Sequence, residues 1–371
     1  MDDPASWLRL QLTPGLGRVG LFRLIDHYGS PQAALASNPA EWQAVPGRRH
    51  HPSGVPPTVD DPRLLAMLAR LAALDVWLLT YWDADYPPLL KTIPDPPALL
   101  YGRGVRRFGE ALAVVGSRLP SPTGKMAAET LSRAIAAQGV QIVSGLARGV
   151  DAAAHRGAMA AGGHTLAILG CGIDRVYPAE NTRLFAQIAA QGTLLSEYLP
   201  GSEPLPGNFP GRNRIISGLC RGTLVIEAAP ASGSLITAEL ALEQGRDVLA
   251  VPGSIDRPTS SGPNRLIKEG AHPVTEAADI LAVLWPERGG RLPAASADHF
   301  ASQLDEPARS VWAALGSHPR HIDELVGELG LTAGVLSAIL LHLELQGGVE
   351  QLAGARFLRV RHPAPSRQEN P

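Results

Sequence analysis

The sequence is poor in cysteine and in long apolar runs. Its two cysteines, Cys171 and Cys220, do not have the spacing of a disulfide framework or a zinc site, which indicates a reducing compartment. No run approaches the roughly 18 apolar residues that a membrane-spanning helix requires, and the chain begins with acidic residues instead of a basic leader. We therefore expect a soluble, cytoplasmic protein with no membrane partner.

The sequence also lacks an excess of positive charge. Its net charge of −2 counts against nucleic-acid binding, because domains with that function are usually basic. Any nucleic-acid site must therefore be a local cluster of cations. Apolar residues make up 45% of the 371 residues, which is enough for sizeable cores, and this length suits two or three domains.

Residues 1–60 predict a small helical domain. Apolar residues at 7–12 lead into a Pro-Gly-Leu-Gly turn at 14–17, and apolar residues then recur at helical spacing over 21–25. The pattern is that of a helix-hairpin-helix (SAM-like) domain, in which turn amides hold a phosphate, or of a plain helical hairpin. Residues 46–62, rich in Pro, Gly and His, predict a loop or linker.

Residues 75–285 alternate between apolar strands and helices. The predicted strands are 76–80, 112–115, 141–143, 165–169, 193–195, 223–226 and 248–251, and the clearest helices between them are 124–137, 150–161 and 234–244. Strands that alternate with helices at this spacing form parallel sheets covered by helices. We predict an α/β domain with an extended Rossmann-like, doubly wound, mostly parallel sheet.

A second linker, 286–303, precedes a predicted winged-helix domain at 304–361. Its helices are 307–315, 322–329 and 332–346, followed by a hairpin of 347–352 and 356–360. The helix at 332–346 holds the place of a recognition helix but has no Lys or Arg, and acidic residues outnumber basic ones in the domain. Because neutralised phosphates supply most DNA affinity, we expect this domain to contact protein or pack on its own chain.

Ligands of open parallel sheets bind at the carboxyl ends of the strands, where small residues allow close backbone approach. Two predicted strands end in small residues followed by an arginine, whose guanidinium can bind a phosphate through two hydrogen bonds. The residues concerned are Gly116, Ser117 and Arg118 after one strand, and Ser144, Gly145, Arg148 and Gly149 after the other.

The segment 208–218 places Phe209, Arg212, Asn213 and Arg214 just before a predicted apolar helix. Two cations beside an aromatic and an amide suit a single strand, which is held by cationic grooves and by stacking, but a solvated helix start gives the same pattern. Gly233 and Ser234 begin another helix and form either an anion site or an ordinary N-cap. Lys268 is a weaker candidate for a further cation.

Three long motifs resemble the DprA/Smf family of DNA-processing proteins. They are SGLARGVD at 144–151 followed by His155, FPGRNRIISGL at 209–219, and SGSLITAELALEQGRDVLAVPG at 232–253, within a likeness that runs from Tyr86 to Ala271. The resemblance implies a non-catalytic, cytoplasmic protein that binds single-stranded DNA, loads RecA in transformation or recombination, and forms a homodimer through its Rossmann-like domain. It also implies that Arg118, Arg148, Arg212, Arg214 and Lys268 contact DNA, supported by the glycines above. One departure is Ala179, where many members of the family have a cation.

An enzyme related to nucleotide phosphoribohydrolases is the main alternative. Such enzymes carry a Pro-Gly-Gly-x-Gly-Thr-x-x-Glu loop, but Gly233-Ser234 is followed by Leu235, Ile236 and Thr237, with no carboxylate at the expected place. His155 and Cys171 are either reactive or, as we expect, structural. Gly170-Cys171-Gly172 is only part of a dinucleotide-binding motif and no Walker lysine loop is present, so we expect no cofactor.

Overall fold

The computed structural model describes residues 3–46, 53–288, 301, 304–316 and 318–359. The chain divides into two compact units, Met1–Pro286 and Glu287–Pro371. Most of the linker predicted at 286–303 and part of the loop predicted at 46–62 lie outside the described residues. The domain boundary predicted at residue 60 stays a prediction, since residues on both sides of it belong to the first unit.

The first unit begins with short helices whose ends follow local sequence signals. The helices are α1 (Pro4–Gln11), α2 (Arg18–Tyr28), α3 (Pro31–Ala36) and α4 (Pro62–Ala73), with a 3-10 turn at Pro39–Ala44. Asp3 caps α1 by accepting a hydrogen bond from the N–H of Ala5, and Gly29 ends α2 with φ of 81°. Buried Trp7 and Leu24 share one core with Leu99 and Tyr101, so these helices pack on the sheet.

The sheet of this unit has nine strands in the order β1-β2-β6-β5-β4-β3-β7-β8-β9. They are β1 (Trp77–Thr80), β2 (Leu99–Gly104), β3 (Ala111–Gly116), β4 (Gln141–Ser144), β5 (Thr165–Leu169), β6 (Thr193–Ser196), β7 (Gly222–Ile226), β8 (Asp247–Ala250) and β9 (His272–Pro273). The strands from β6 to β9 pair in parallel, whereas β2 is antiparallel to both β1 and β6. The predicted α/β, mostly parallel fold is confirmed.

Helices cover both faces of this sheet. They are α5 (Pro88–Lys91), α6 (Pro122–Ala137), α7 (Val150–Ala160), α8 (Thr182–Gln191), α9 (Asn208–Gly218), α10 (Gly233–Glu243), α11 (Ser261–Lys268) and α12 (Ala277–Leu284). The helix α7 packs closely on α6 because Gly157 faces the backbone of Glu129, where a Cβ would lie 2.1 Å from the carbonyl oxygen. Because the strands from β6 to β9 run in parallel, the residues that follow each of them lie at one end of the sheet.

The second unit is a winged helix, as predicted. It contains α13 (Glu306–Ala314), α14 (Ile322–Leu329) and α15 (Ala333–Leu345), and a sheet of β10 (Arg320–His321), β12 (Arg356–Arg359) and β11 (Val349–Leu352). Trp312, Leu336 and Leu340 lie in its core. Within the described ranges no single helix is long and apolar enough to cross a membrane, and only α14 and α15 together, as a sharply bent pair, pass that test.

Candidate functional site

The carboxyl end of the sheet is the side on which β3, β4, β5 and the other parallel strands finish, and glycines bring its loops close together. A Cβ on Gly116 would lie 1.8 Å from the carbonyl oxygen of Ile226 in the neighbouring strand. Gly149 has φ of 75°, and a Cβ there would lie 2.3 Å from the carbonyl oxygen of Ser117. Side chains at these two positions would push the loops apart, so glycine is required for this packing.

The loop after β4 is held from beneath by two buried side chains. The carboxylate of Asp151 accepts hydrogen bonds from the N–H groups of Gly145 and Ala147, at 3.1 and 3.2 Å. The amide of Asn181 donates to the carbonyl oxygens of Leu146 and Ala147. Burial raises the pKa of Asp151, although the charge of Arg212 and these two N–H groups oppose that effect. The loop therefore presents Arg148 on a rigid base.

Arg118 is an exposed cation beside an aromatic ring. Its guanidinium carbon lies 5.8 Å from the centre of the half-buried Phe209 ring, which in turn lies 5.5 Å from the ring of Tyr177. In the part of the chain that the structure describes, Arg118 has no carboxylate partner. The Phe209 ring is seated against the backbone of Gly170, where a Cβ would lie 2.7 Å from it. A free cation and a fixed ring thus meet at the carboxyl end of the sheet.

Arg148 lies at the same end and is paired with Glu180. The shortest distance between guanidinium nitrogen and carboxylate oxygen is 2.6 Å, and both side chains are more than half exposed. An exposed pair of this kind contributes at most about 1 kcal/mol, because water screens both charges. A phosphate can therefore replace Glu180 at Arg148 at small cost.

Arg212 and Arg214 differ from the expectation. The segment 208–218 is itself the helix α9, not a stretch before it, and only 5–6% of each arginine is exposed. Arg212 donates to the carbonyl oxygens of Gly145 and Ile168, and its burial lowers its pKa. These bonds tie α9 to the ends of β4 and β5. Direct contact between Arg212 and DNA stays a prediction; in the structure its Nη1 and Nε atoms already donate to protein acceptors.

Arg214 forms a buried ion pair. It donates to the carboxylate of Glu197 at 2.7 Å and to that of Asp95 at 3.2 Å. Burial alone would lower the pKa of Arg214, but the two carboxylates raise it above its ordinary value. Glu197, which directly follows β6, therefore positions the side chain of Arg214.

Of the remaining predicted residues, five lie at the carboxyl end of the sheet and Lys268 lies away from it. Ser117, Ser144, Asn213, Gly233 and Ser234 all lie at the carboxyl end, where Ser144 is buried and donates to the carbonyl oxygen of Val114. Ser232 caps α10 by accepting from the N–H of Ser234, as in an ordinary N-cap, while Gly233 faces open space. Lys268 is exposed but ends α11, about 9 Å along the helix from Gly262, which contacts the end of β7.

Two exposed cations at the same end were not predicted from the sequence. Lys125 lies in the first turn of α6, directly after the Arg118 loop, and Arg257 lies in the loop after β8. Neither has an ion pair with any described residue. Their position just after a parallel strand was the available signal, because the first turn of a following helix lies at the carboxyl end of the sheet.

Three side chains that an enzyme could use, His155, Cys171 and Glu227, are buried or hydrogen-bonded within the protein. His155 is fully buried against the hydroxyl of Thr165, and burial lowers its pKa to about 3. Burial raises the pKa of Cys171 to about 11, which disfavours the reactive thiolate. The carboxylate of Glu227 accepts hydrogen bonds from the N–H and hydroxyl of Ser121, which is the N-cap of α6.

Comparison with known proteins places this geometry in a family. The model of the DNA recombination-mediator protein A family matches residues 77–284, and the DprA winged helix domain model matches residues 293–355. The chain is 36% identical to protein Smf of Synechocystis over 96% of this chain and 99% of that one. It is 49% identical to DNA processing protein DprA of Streptococcus pneumoniae over 54% of this chain and 71% of that protein.

Two solved structures are also similar. DNA processing protein A of Streptococcus pneumoniae matches with a TM-score of 0.64 and 37% identity, over 76% of this chain and 99% of that one. DNA processing protein A of Helicobacter pylori, described for its single-stranded DNA binding mode, matches with a TM-score of 0.53 and 29% identity, over 58% of this chain and 97% of that one.

Proposed function

The chain belongs to the DNA recombination-mediator protein A family, and from that premise we propose that it is a non-catalytic cytoplasmic protein that binds single-stranded DNA and delivers it to RecA. The observation that carries the proposal is Arg118, an exposed cation without a carboxylate partner among the described residues, beside the Phe209 ring. In a single strand, the phosphates can bind Arg118 and a base can stack on the Phe209 ring. The Helicobacter pylori relative, which binds single-stranded DNA, supports the same reading.

The strand is bound by its backbone, without reading of its sequence. The exposed cations Arg118, Arg148, Lys125 and Arg257 supply charge for phosphates, and an aromatic ring stacks on any base. This concentration of cations at one end of the sheet answers the objection from the net charge of −2. Binding should therefore weaken steeply as salt rises and vary little between sequences.

We propose that the protein is not catalytic because the candidate reactive side chains have unsuitable pKa values or structural roles. A general base at neutral pH needs a pKa near 7, and the pKa of the buried His155 lies far below that. Two carboxylates lie near the Gly233-Ser234 loop in sequence. Glu227 accepts hydrogen bonds from the N-cap residue of α6, and Glu239 is exposed about one and a half turns beyond the start of α10, past the place where the phosphoribohydrolase loop has its Glu. An enzyme of the phosphoribohydrolase type would release base or phosphate from small nucleotides.

The experiment is a gel shift of an oligo-dT with the purified protein over a series of salt concentrations, with a parallel assay for nucleotide hydrolysis. We expect a shift that is lost as salt rises and no released base or phosphate. Binding that is insensitive to salt, or turnover of nucleotides above a no-protein control, would refute the proposal.

The partners are proposed from family membership. A homodimer through the late part of the Rossmann-like domain predicts twice the chain mass by light scattering. Delivery to RecA predicts faster RecA filament formation on oligonucleotide in the presence of the protein. A monomer by light scattering would contradict the dimer, and unchanged RecA kinetics would contradict the delivery role.

The winged-helix unit is proposed to contact protein, not DNA. The helix α15 exposes Val335, Leu341 and Leu345, between 49 and 79% each, and carries no Lys or Arg. An apolar surface without cations suits a protein partner better than phosphates. Deletion of residues after 303 should leave oligo-dT affinity unchanged; a large loss of affinity would place DNA contacts in this unit.

A further inference from the structure

The carboxyl end of the sheet continues beyond the site described above, toward the N-terminal helices. Because β1 and β6 are both antiparallel to β2, they run in the same direction. Residues that follow β1 therefore lie at the same end as Phe209 and Arg118. With strands about 4.8 Å apart, β1 lies three steps, or about 14 Å, from β5. That distance equals about four stacked nucleotides at 3.4 Å each.

Arg18 connects the two regions. It is the first residue of α2, and its guanidinium lies beside Gly211, where a Cβ would be 3.2 Å from Nη1 of Arg18 and 3.5 Å from the hydroxyl of Tyr198. Gly211 is two residues beyond Phe209 in the same helix. An open cavity of about 330 Å³, lined by Arg18, Tyr198 and Leu99 among others, leaves room beside them. The N-terminal helices thus reach the edge of the candidate site.

An aromatic surface of Phe22, Tyr81 and Trp82 lies farther along the same path. Phe22 is one turn after Arg18 on α2, so the two side chains share a face of that helix. The rings of Phe22 and Trp82 are 5.4 Å apart, and Trp82, stacked on the buried Trp7, remains 36% exposed. The ammonium of the exposed Lys91 lies 4.7 Å from the ring centre of Tyr81. Rings flanked by cations are the usual platform for a single strand.

The charges around Arg18 allow it to bind a phosphate. Its side chain is 48% exposed and pairs with Asp95 at 2.8 Å. Asp95 also accepts from Arg214 at 3.2 Å, so it keeps a cationic partner if Arg18 turns away. The loop carboxylates Asp83 and Asp85 bond to Arg106, which reduces their repulsion of DNA.

Resting on the proposed function, we infer that a single strand held at Phe209 continues past Arg18 and stacks on the aromatic surface. The N-terminal helices are then part of the DNA site and lengthen its footprint. No change in the fold is needed, because Arg18, Phe22 and Trp82 already line one path with Phe209.

The test compares Trp82→Ala and Arg18→Ala with the control Arg63→Ala, in the full chain, by anisotropy of labelled dT of two lengths. The short one has about 3 nucleotides, too few to span the distance of about 14 Å between β5 and β1, and the long one has about 16. Arg63 is a suitable control because it lies in α4, another of the N-terminal helices, is 72% exposed and, like Arg18, is paired with an aspartate. We expect Trp82→Ala to weaken binding of the long oligonucleotide by about 5- to 150-fold and that of the short one by less than twofold. Arg18→Ala should lower the salt slope for the long oligonucleotide by about 0.7.

A second measurement needs no variant. Oligo-dT carrying 5-iodouracil at one terminus or the other is photocrosslinked to the wild-type protein, and the peptides are mapped. We expect one of the two termini to crosslink to peptides containing Phe22 or Trp82.

The inference is overturned if Trp82→Ala and Arg18→Ala match Arg63→Ala at both lengths, if they weaken both lengths equally, or if neither terminus crosslinks to these peptides. Failure of the proposed function has a different signature, since the wild-type protein would then bind neither oligonucleotide.

Discussion

Replacement of Arg118 by alanine is the sharpest single perturbation of the site. The side chain is exposed and has no ion pair among the described residues, so its loss should change the free energy of unfolding by no more than about 0.5 kcal/mol. A hydrogen bond from a guanidinium to a phosphate contributes about 1.5–3 kcal/mol, which corresponds to a loss of about 10- to 150-fold in affinity. One phosphate contact fewer should also lower the salt slope by about 0.7.

The assay is fluorescence anisotropy of labelled oligo-dT at several salt concentrations, with urea unfolding of the same preparations. Arg156→Ala is the matched control, because Arg156 is also an exposed arginine of the same unit, but it lies in the middle of α7, away from the carboxyl end. Equal affinity and equal salt slope for Arg118→Ala and Arg156→Ala would refute the assignment of Arg118 to a phosphate.

Three further predictions address the ring, the buried charges and the buried histidine. Phe209→Ala should weaken oligo-dT binding by about 1–3 kcal/mol and leave the salt slope unchanged, because it removes stacking and no charge; an altered slope would count against this. Glu197→Gln should lower the free energy of unfolding in urea by about 3 kcal/mol, since Arg214 loses a charged partner in a site where both side chains are less than 10% exposed; a change below about 1 kcal/mol would contradict it. Between about pH 6.5 and 3 the unfolded chain protonates His155 while the folded protein does not, so the stability contributed by this residue falls as pH falls, by up to about 1.4 kcal/mol per unit. His155→Asn should therefore make urea stability less dependent on pH between 7 and 5, whereas an unchanged dependence would argue against a buried neutral imidazole.

The strands that the sequence predicts are those with continuous apolar runs. The central strands β3 and β5 are buried at nearly every residue, and a fully buried parallel strand has that signature. The strand β2 was not predicted because it contains two glycines and follows several prolines. Its Gly102 is explained by the structure, since a Cβ there would lie 2.2 Å from the ring of Trp77. That cross-strand contact depends on tertiary pairing, which local patterns do not contain.

In the candidate site, the sequence predicts where the arginines lie along the chain but not which of them are buried. The positions of Arg118 and Arg148 follow from the strand ends, which apolar patterns locate well. The burial of Arg212 and Arg214 could not be predicted, because it depends on where α9 packs and on partners distant in sequence, such as Asp95, 119 residues before Arg214. In sequence all four are arginines near small residues, whereas in the structure two are exposed and two hold loops together.

The most direct test of the proposed single-stranded-DNA site is a crystal structure of the protein with a short oligo-dT. We expect phosphate oxygens within hydrogen-bond distance of Arg118 and Arg148 and a base stacked on Phe209, with the bases otherwise free of hydrogen bonds from side chains. An oligonucleotide bound elsewhere, with Arg118 in solvent and Arg148 still paired with Glu180, would contradict it.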